Sequence, residues 1–131
     1  MEKILNYIDG KLVEPSSKKY LDNYNPSEGK VYSYVPDSDE RDVNDAVQAA
    51  EKAFPSWSKM PSEERCKILL RVADLIDRDF QKLALAESID NGKTVKLAKA
   101  VDIYRASANM KIYATASQHF ASEAHVNHSD S

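Results

Sequence analysis

In the stretch VDIYRASANMKIY (Val101–Tyr113), Val101, Ala108, Ile112 and Thr115 form a small or apolar stripe at helical spacing. Arg105 falls in the middle of that stripe. A guanidinium buried without a partner is costly, so Arg105 needs something to meet. The nearby acids Asp102 and Asp90 are candidates for a structural ion pair, and a long stem reaching back to water is another solution.

Other residue types capable of chemistry are sparse. The lone cysteine, Cys66, lies in the helical stretch EERCKILL between Arg65 and Lys67, whose charges favour a thiolate. No histidine adjoins it, and a plain helical cysteine is the simpler reading. His119, His125 and His128 gather near the carboxyl end, where no acid or cysteine completes a metal-ligand set; they read as a solvated tail. Gly10, Gly29 and Gly92 stand far apart, which excludes both the dinucleotide and the P-loop phosphate cradles. Trp57, in FPSWS, reads as a packing residue under a helix junction.

The elements that position these residues fall into two groups. Asp9-Gly10, between the arms of NYIDGKLV (Asn6–Val13), signals a two-residue hairpin. Pro26 and Gly29 make YNPSEGK (Tyr24–Lys30) a turn, and VYSYV (Val31–Val35) alternates like a half-buried strand that ends at Pro36. Helices follow. Ser38 or Asp39 caps the first, with Val43, Ala46, Val47, Ala50 and Phe54 on its apolar face and a break at PSWSKMP. The second starts near Pro61–Ser62 and carries one stripe from Ile68, Leu69, Val72, Leu75 and Ile76 on through Phe80, Leu83 and Leu85. Asn91-Gly92 stops it. A last helical region, bent at Asp102, runs from about Thr94 to Gln118, and residues 122–131 form a mobile polar tail.

This predicts an α+β chain: a hairpin and short strands, then three to four helices, with too few strands to bury all the apolar helix faces. The 131 residues suffice for one modest domain or a flank of a larger one. Eighteen basic and 21 acidic residues are interspersed at a net charge of −3, which gives no nucleic-acid-binding face. No apolar run approaches a membrane span or a signal-peptide core. A single cysteine excludes an internal disulfide framework. All of this fits a cytoplasmic protein.

Five stretches in fixed order carry a resemblance: YIDGKLV, YNPSEGKVY, VPDSDERDVNDAVQAAEKAFPSWS, PSEERCKILLRVADLID and AESIDNGKTVKLAKAVDI. Together they resemble the amino-terminal region of the NAD(P)-dependent aldehyde dehydrogenase superfamily over about Asn6 to Phe120. The piece VDIYRASANMKIYATASQHFASE is most similar to the branch acting on 2-aminomuconic and 2-hydroxymuconic semialdehydes. That branch has Asp-Ile-Pro-Arg where this chain has Asp102-Ile103-Tyr104-Arg105.

The resemblance implies an enzyme in which a cysteine thiolate adds to an aldehyde, hydride passes to NAD or NADP, and a glutamate-activated water releases the acid. It places those parts further along than this chain, and Cys66 does not correspond to the nucleophile. Residues 1–121 are then the amino-terminal flank of a cofactor-binding domain whose Rossmann-type sheet is missing, in a protein that is a homo-oligomer when intact. This chain alone is expected to be inactive. The resemblance also puts Arg105 on a helix lining the substrate tunnel, facing a substrate carboxylate. It further suggests a monovalent cation between the Asp90 carboxylate and backbone carbonyls around Asn23 and Tyr24; an ordinary helix-end aspartate is the competing reading. Two rivals remain: a dehydrogenase for neutral or cationic aldehydes, and a naturally truncated, non-catalytic packing domain.

Overall fold

The computed structural model describes residues 1–119; the expected tail, with His125 and His128, lies outside them. Five strands come first: β1 (Glu2–Lys3), β2 (Asn6–Ile8), β3 (Lys11–Val13), β4 (Tyr20–Asn25) and β5 (Lys30–Pro36). The helices are α1 (Glu40–Lys59), α2 (Ser62–Arg78), α3 (Phe80–Asn91), the single turn α4 (Val95–Leu97) and α5 (Tyr104–His119). A π-helical turn, Ala98–Ile103, joins α4 to α5.

Local chemistry explains most of these boundaries. β2 and β3 pair antiparallel across Asp9-Gly10, both at positive φ, as a two-residue hairpin requires. β4 and β5 pair antiparallel with a bulge at Asn23/Tyr24, and β1 adds parallel to β5, giving the order β1-β5-β4. Periodicity indicates neither β1 nor β4: Glu2–Lys3 has no apolar residue, and those of β4 do not alternate cleanly.

Asp39 is the N-cap of α1 and forms a capping box with Asp42, whose Oδ2 accepts from the Asp39 amide at 2.8 Å. Asp42 is buried, and its Oδ1 accepts from the amide and hydroxyl of Ser16 at 2.8 and 2.9 Å. These donors hold its carboxyl below the usual carboxylate range, the Asp39 amide first and the Ser16 amide next. A depressed carboxyl stabilises the fold above its unfolded value and loses that contribution as pH falls through the folded one. Asp42→Asn is therefore expected to unfold more readily than the parent at neutral pH. The gap should narrow as pH drops below about 4, read from melting curves at stepped pH.

Two expectations about the helices are corrected. The apolar face of α1 exists, and Val43, Val47 and Phe54 are 57, 50 and 65% exposed, as too few strands would leave them. That face stays largely open, with Tyr7 and Ile8 of β2 beside Val43 and Ala46, and Trp57 is a partly exposed residue within α1 rather than packed under a junction. The break expected in PSWSKMP falls at its end: α1 runs through Pro55 to Lys59 and stops at Met60, which precedes Pro61 and takes an extended conformation. Arg65 supports that stop by donating to the Met60 carbonyl at 2.6 Å. Finally, the stripe from Ile68 to Leu85 spans two helices, because Asp79 (φ −96, ψ 14) separates α2 from α3. The buried residue of α3 is Ala84, and Leu85 faces out.

The core is small. Ala84, Ala98 and Ile103 are buried against Ile76, Phe80 and Leu83, so α3 and the π-helical turn close on the end of α2. α5 lies along α2, tied to it by Lys111 and Asp77 at 2.6 Å.

Candidate functional site

The sequence places Arg105 within an apolar stripe; the structure turns most of that stripe to solvent. The buried residues of this segment are Ala98, Ile103, Ser107 and Ala114, while Arg105 and Ile112 face solvent. Arg105, Ala108, Ile112 and Thr115 all lie within α5 and keep their common face; the covered face is the one with Ser107 and Ala114, because α5 lies along α2, and spacing alone does not say which face a neighbour covers. Asp102, the site of the expected bend, lies in the π-helical turn Ala98–Ile103.

Both acids considered as internal partners of Arg105 are engaged by other groups. Asp102 Oδ2 holds Lys93 Nζ at 2.6 Å. Asp90 Oδ1 accepts from Tyr32 Oη at 2.5 Å and Asn23 Nδ2 at 3.1 Å. Among the described residues Arg105 forms no ion pair. It is a fork of five donors presented to water on the first turn of α5.

Asp90, Asn23 and Tyr32 form a polar cluster that joins α3 to the β4–β5 pair. Asn23 Nδ2 also reaches Tyr32 Oη and Ser33 Oγ, at 3.0 and 3.1 Å. The Tyr32 hydroxyl, then Asn23, holds the Asp90 carboxyl below its usual range, and the Asp90 carboxylate pushes the Tyr32 phenol up. Asn23 thus meets Asp90 through its side chain; Tyr24, also on β4, is exposed. Tyr32 was missed by sequence reasoning because it is 58 residues from Asp90, and no local pattern links a strand to a distant helix end.

Lys93 was missed as well. Its ammonium bridges Glu87 Oε1 at 3.0 Å and Asp102 Oδ2 at 2.6 Å, its carbonyl accepts from Ser88 Oγ at 2.6 Å, and its amide donates to Asn91 Oδ1 at 2.9 Å. Asp102, then Glu87, raises its pKa. Glu87, six residues before Lys93, and Asp102, nine after it, are off the helical neighbour spacing, so only the turn at Gly92 brings the three together.

Cys66 is buried in α2. The cations beside it are engaged elsewhere, Arg65 on the end of α1 and Lys67 on Glu63 and Glu64. His119 is exposed at the end of α5. No group of three or more His, Cys, Asp or Glu among the described residues could hold a metal ion. No described helix is long and apolar enough to cross a membrane. The glycines serve a hairpin turn (Gly10), the β4–β5 turn (Gly29) and the left-handed C-cap of α3 (Gly92). None opens a helix after a strand, so the described residues do not provide a pyrophosphate cradle.

This arrangement of short strands followed by helices is that of the first part of a dehydrogenase. The structure superposes on an aldehyde dehydrogenase from Bacillus cereus solved in complex with NAD+, with a TM-score of 0.83 and 35% identity over 86% of this chain and 23% of that one. The aldehyde dehydrogenase family pattern matches residues 12–131, and the chain belongs to this family. It is 46% identical over 118 residues to the 2-aminomuconic semialdehyde dehydrogenase of Homo sapiens, covering 90% of this chain and 24% of the relative. It is 38% identical over 125 residues to the 2-hydroxymuconic semialdehyde dehydrogenase of Pseudomonas sp. (strain CF600), covering 95% and 26%. The chain thus spans about a quarter of the length of these curated relatives.

Proposed function

We propose that this chain is the amino-terminal part of an NAD(P)-dependent aldehyde dehydrogenase that oxidises a carboxylate-bearing semialdehyde to the acid. Residues 1–121 are its share of the cofactor-binding domain. The observation that carries the substrate reading is Arg105: an exposed guanidinium whose two candidate internal partners, Asp90 and Asp102, are each held by other groups. Such a fork suits a substrate carboxylate. The likeness to two semialdehyde dehydrogenases supports the same reading, and NAD in the related Bacillus cereus structure supports the cofactor. Asp90, its carboxyl held below the usual range, is the side-chain part of a monovalent cation site completed by backbone carbonyls around Asn23 and Tyr24 and by a carbonyl from the rest of the protein.

In the intact enzyme, Arg105 would orient the substrate by its carboxylate end. The nucleophile, the general base and the dinucleotide cradle belong to the rest of the protein. The largely open α1 face is where further parts of the domain pack.

The chain alone is accordingly expected to show no saturable micromolar binding of NAD in a calorimetric titration, and no NADH formation with an aldehyde. Saturable binding would overturn its assignment as a flank lacking the cradle. The substrate reading is tested by comparing charged and neutral aldehydes with Arg105 variants.

A further inference from the structure

An acid and a base three residues apart on an α-helix are surface neighbours. Asp102 and Arg105 are three apart across the join of the π-helical turn to α5, where the backbone at Tyr104 is already α-helical (φ −57, ψ −48), yet Asp102 is bound to Lys93 instead. Lys93 is well fixed for the task. Its backbone is pinned at both the amide and the carbonyl by Asn91 and Ser88, its side chain is only 25% exposed, and its ammonium also rests on Glu87. Asp102, 29% exposed, is equally enclosed.

We infer that Lys93 is a positioning residue: by occupying Asp102 it prevents that carboxylate from capturing Arg105, and so leaves the guanidinium open to an external carboxylate. This rests on the reading of Arg105 as the partner of the substrate carboxylate, and it makes selectivity for charged aldehydes depend on a residue that does not touch the substrate. The alternative is that the Lys93–Asp102 pair merely clamps the π-helical turn. The two differ in what happens when both charges are removed. A clamp is lost either way, whereas capture needs the Asp102 charge.

The test is the rate at which phenylglyoxal, which attacks free guanidinium groups, labels Arg105 in the full chain, followed by peptide mass spectrometry with Arg71 as the internal reference. Lys93→Met is expected to slow labelling of Arg105 about two- to five-fold, the range of an exposed to half-exposed ion pair. Adding Asp102→Asn to Lys93→Met is expected to restore the parent rate, and Lys93→Arg to keep it. An unchanged rate in Lys93→Met would overturn the inference. So would slow labelling that persists in the double variant, since that is the signature of a clamp. Should Lys93→Met unfold, all arginines label faster together, and Lys93→Gln then takes its place under the same criteria. In the full-length enzyme, Lys93→Met is expected to raise KM for a carboxylate-bearing aldehyde by the same factor, with kcat and a neutral aldehyde unchanged. Labelling involves no substrate. If it responds as expected while charged and neutral aldehydes suffer alike, the substrate role of Arg105 fails and the hold of Lys93 on Asp102 stands.

Discussion

Arg105→Ala in the full-length enzyme is expected to lower kcat/KM for a carboxylate-bearing semialdehyde about 10- to 150-fold. A charge-assisted, two-point contact to a carboxylate contributes roughly 1.5–3 kcal/mol, which converts to that range. The loss should be selective: a neutral aldehyde of similar length is expected to turn over at nearly the parent rate. Arg105→Lys should recover only part of the loss, because an ammonium is a point charge without the planar fork. Stability is the control. Arg105 is exposed and forms no ion pair among the described residues, so its removal is expected to change stability by no more than about 0.5 kcal/mol. Steady-state kinetics on both aldehydes beside a melting curve decide the matter. Equal losses on charged and neutral aldehydes would remove Arg105 from the substrate site.

The largest effect on stability is expected at Gly92. Its φ is +79, the left-handed C-cap of α3, where an added Cβ costs about 1–2 kcal/mol. That Cβ would also lie 3.0 Å from Pro26 Cβ and 3.5 Å from Ser27 Oγ. The close approach seats the β4–β5 turn on the end of α3, where Ser27 donates to the Gly92 carbonyl at 3.3 Å. The Asp90–Asn23–Tyr32 cluster spans the same two elements. Forcing an atom into that contact adds about 1–3 kcal/mol. Gly92→Ala is therefore expected to destabilise the chain by about 2–5 kcal/mol, a fall of roughly 10–20 °C in Tm. Gly29→Ala is the comparison, because Gly29 has φ +65 but an added Cβ there would meet nothing within 4 Å; it should show the conformational cost alone. Equal falls for the two variants would exclude the contact with Pro26 as a source of stability.

What the sequence determined by itself is what a few neighbouring residues can settle among themselves. The Asp9-Gly10 hairpin, the Asp39 cap of α1 and the Gly92 stop of α3 all follow from side chains and backbone within one turn. The order of five short stretches likewise sufficed for the aldehyde dehydrogenase family, which the match over residues 12–131 bears out. Periodicity also marked the apolar face of α1 correctly, but burial requires a partner surface, and the short β2 leaves Val43, Val47 and Phe54 half or more exposed.

Tertiary structure alone decided the surroundings of the candidate site. Ser16 reaches Asp42 across 26 residues and Tyr32 reaches Asp90 across 58. Such pairs depend on how elements pack, which no local spacing encodes. Arg105 shows the same limit within a single helical region. Its stripe is legible at helical spacing, but the face of α5 that α2 covers is that of Ser107 and Ala114, so the guanidinium stands in solvent. Lys93, brought to Asp102 by the left-handed turn at Gly92, then occupies the acid nearest to Arg105 along the chain. A charge on a helix acquires its partner from the fold, because a guanidinium pairs with whichever carboxylate the packing leaves unclaimed.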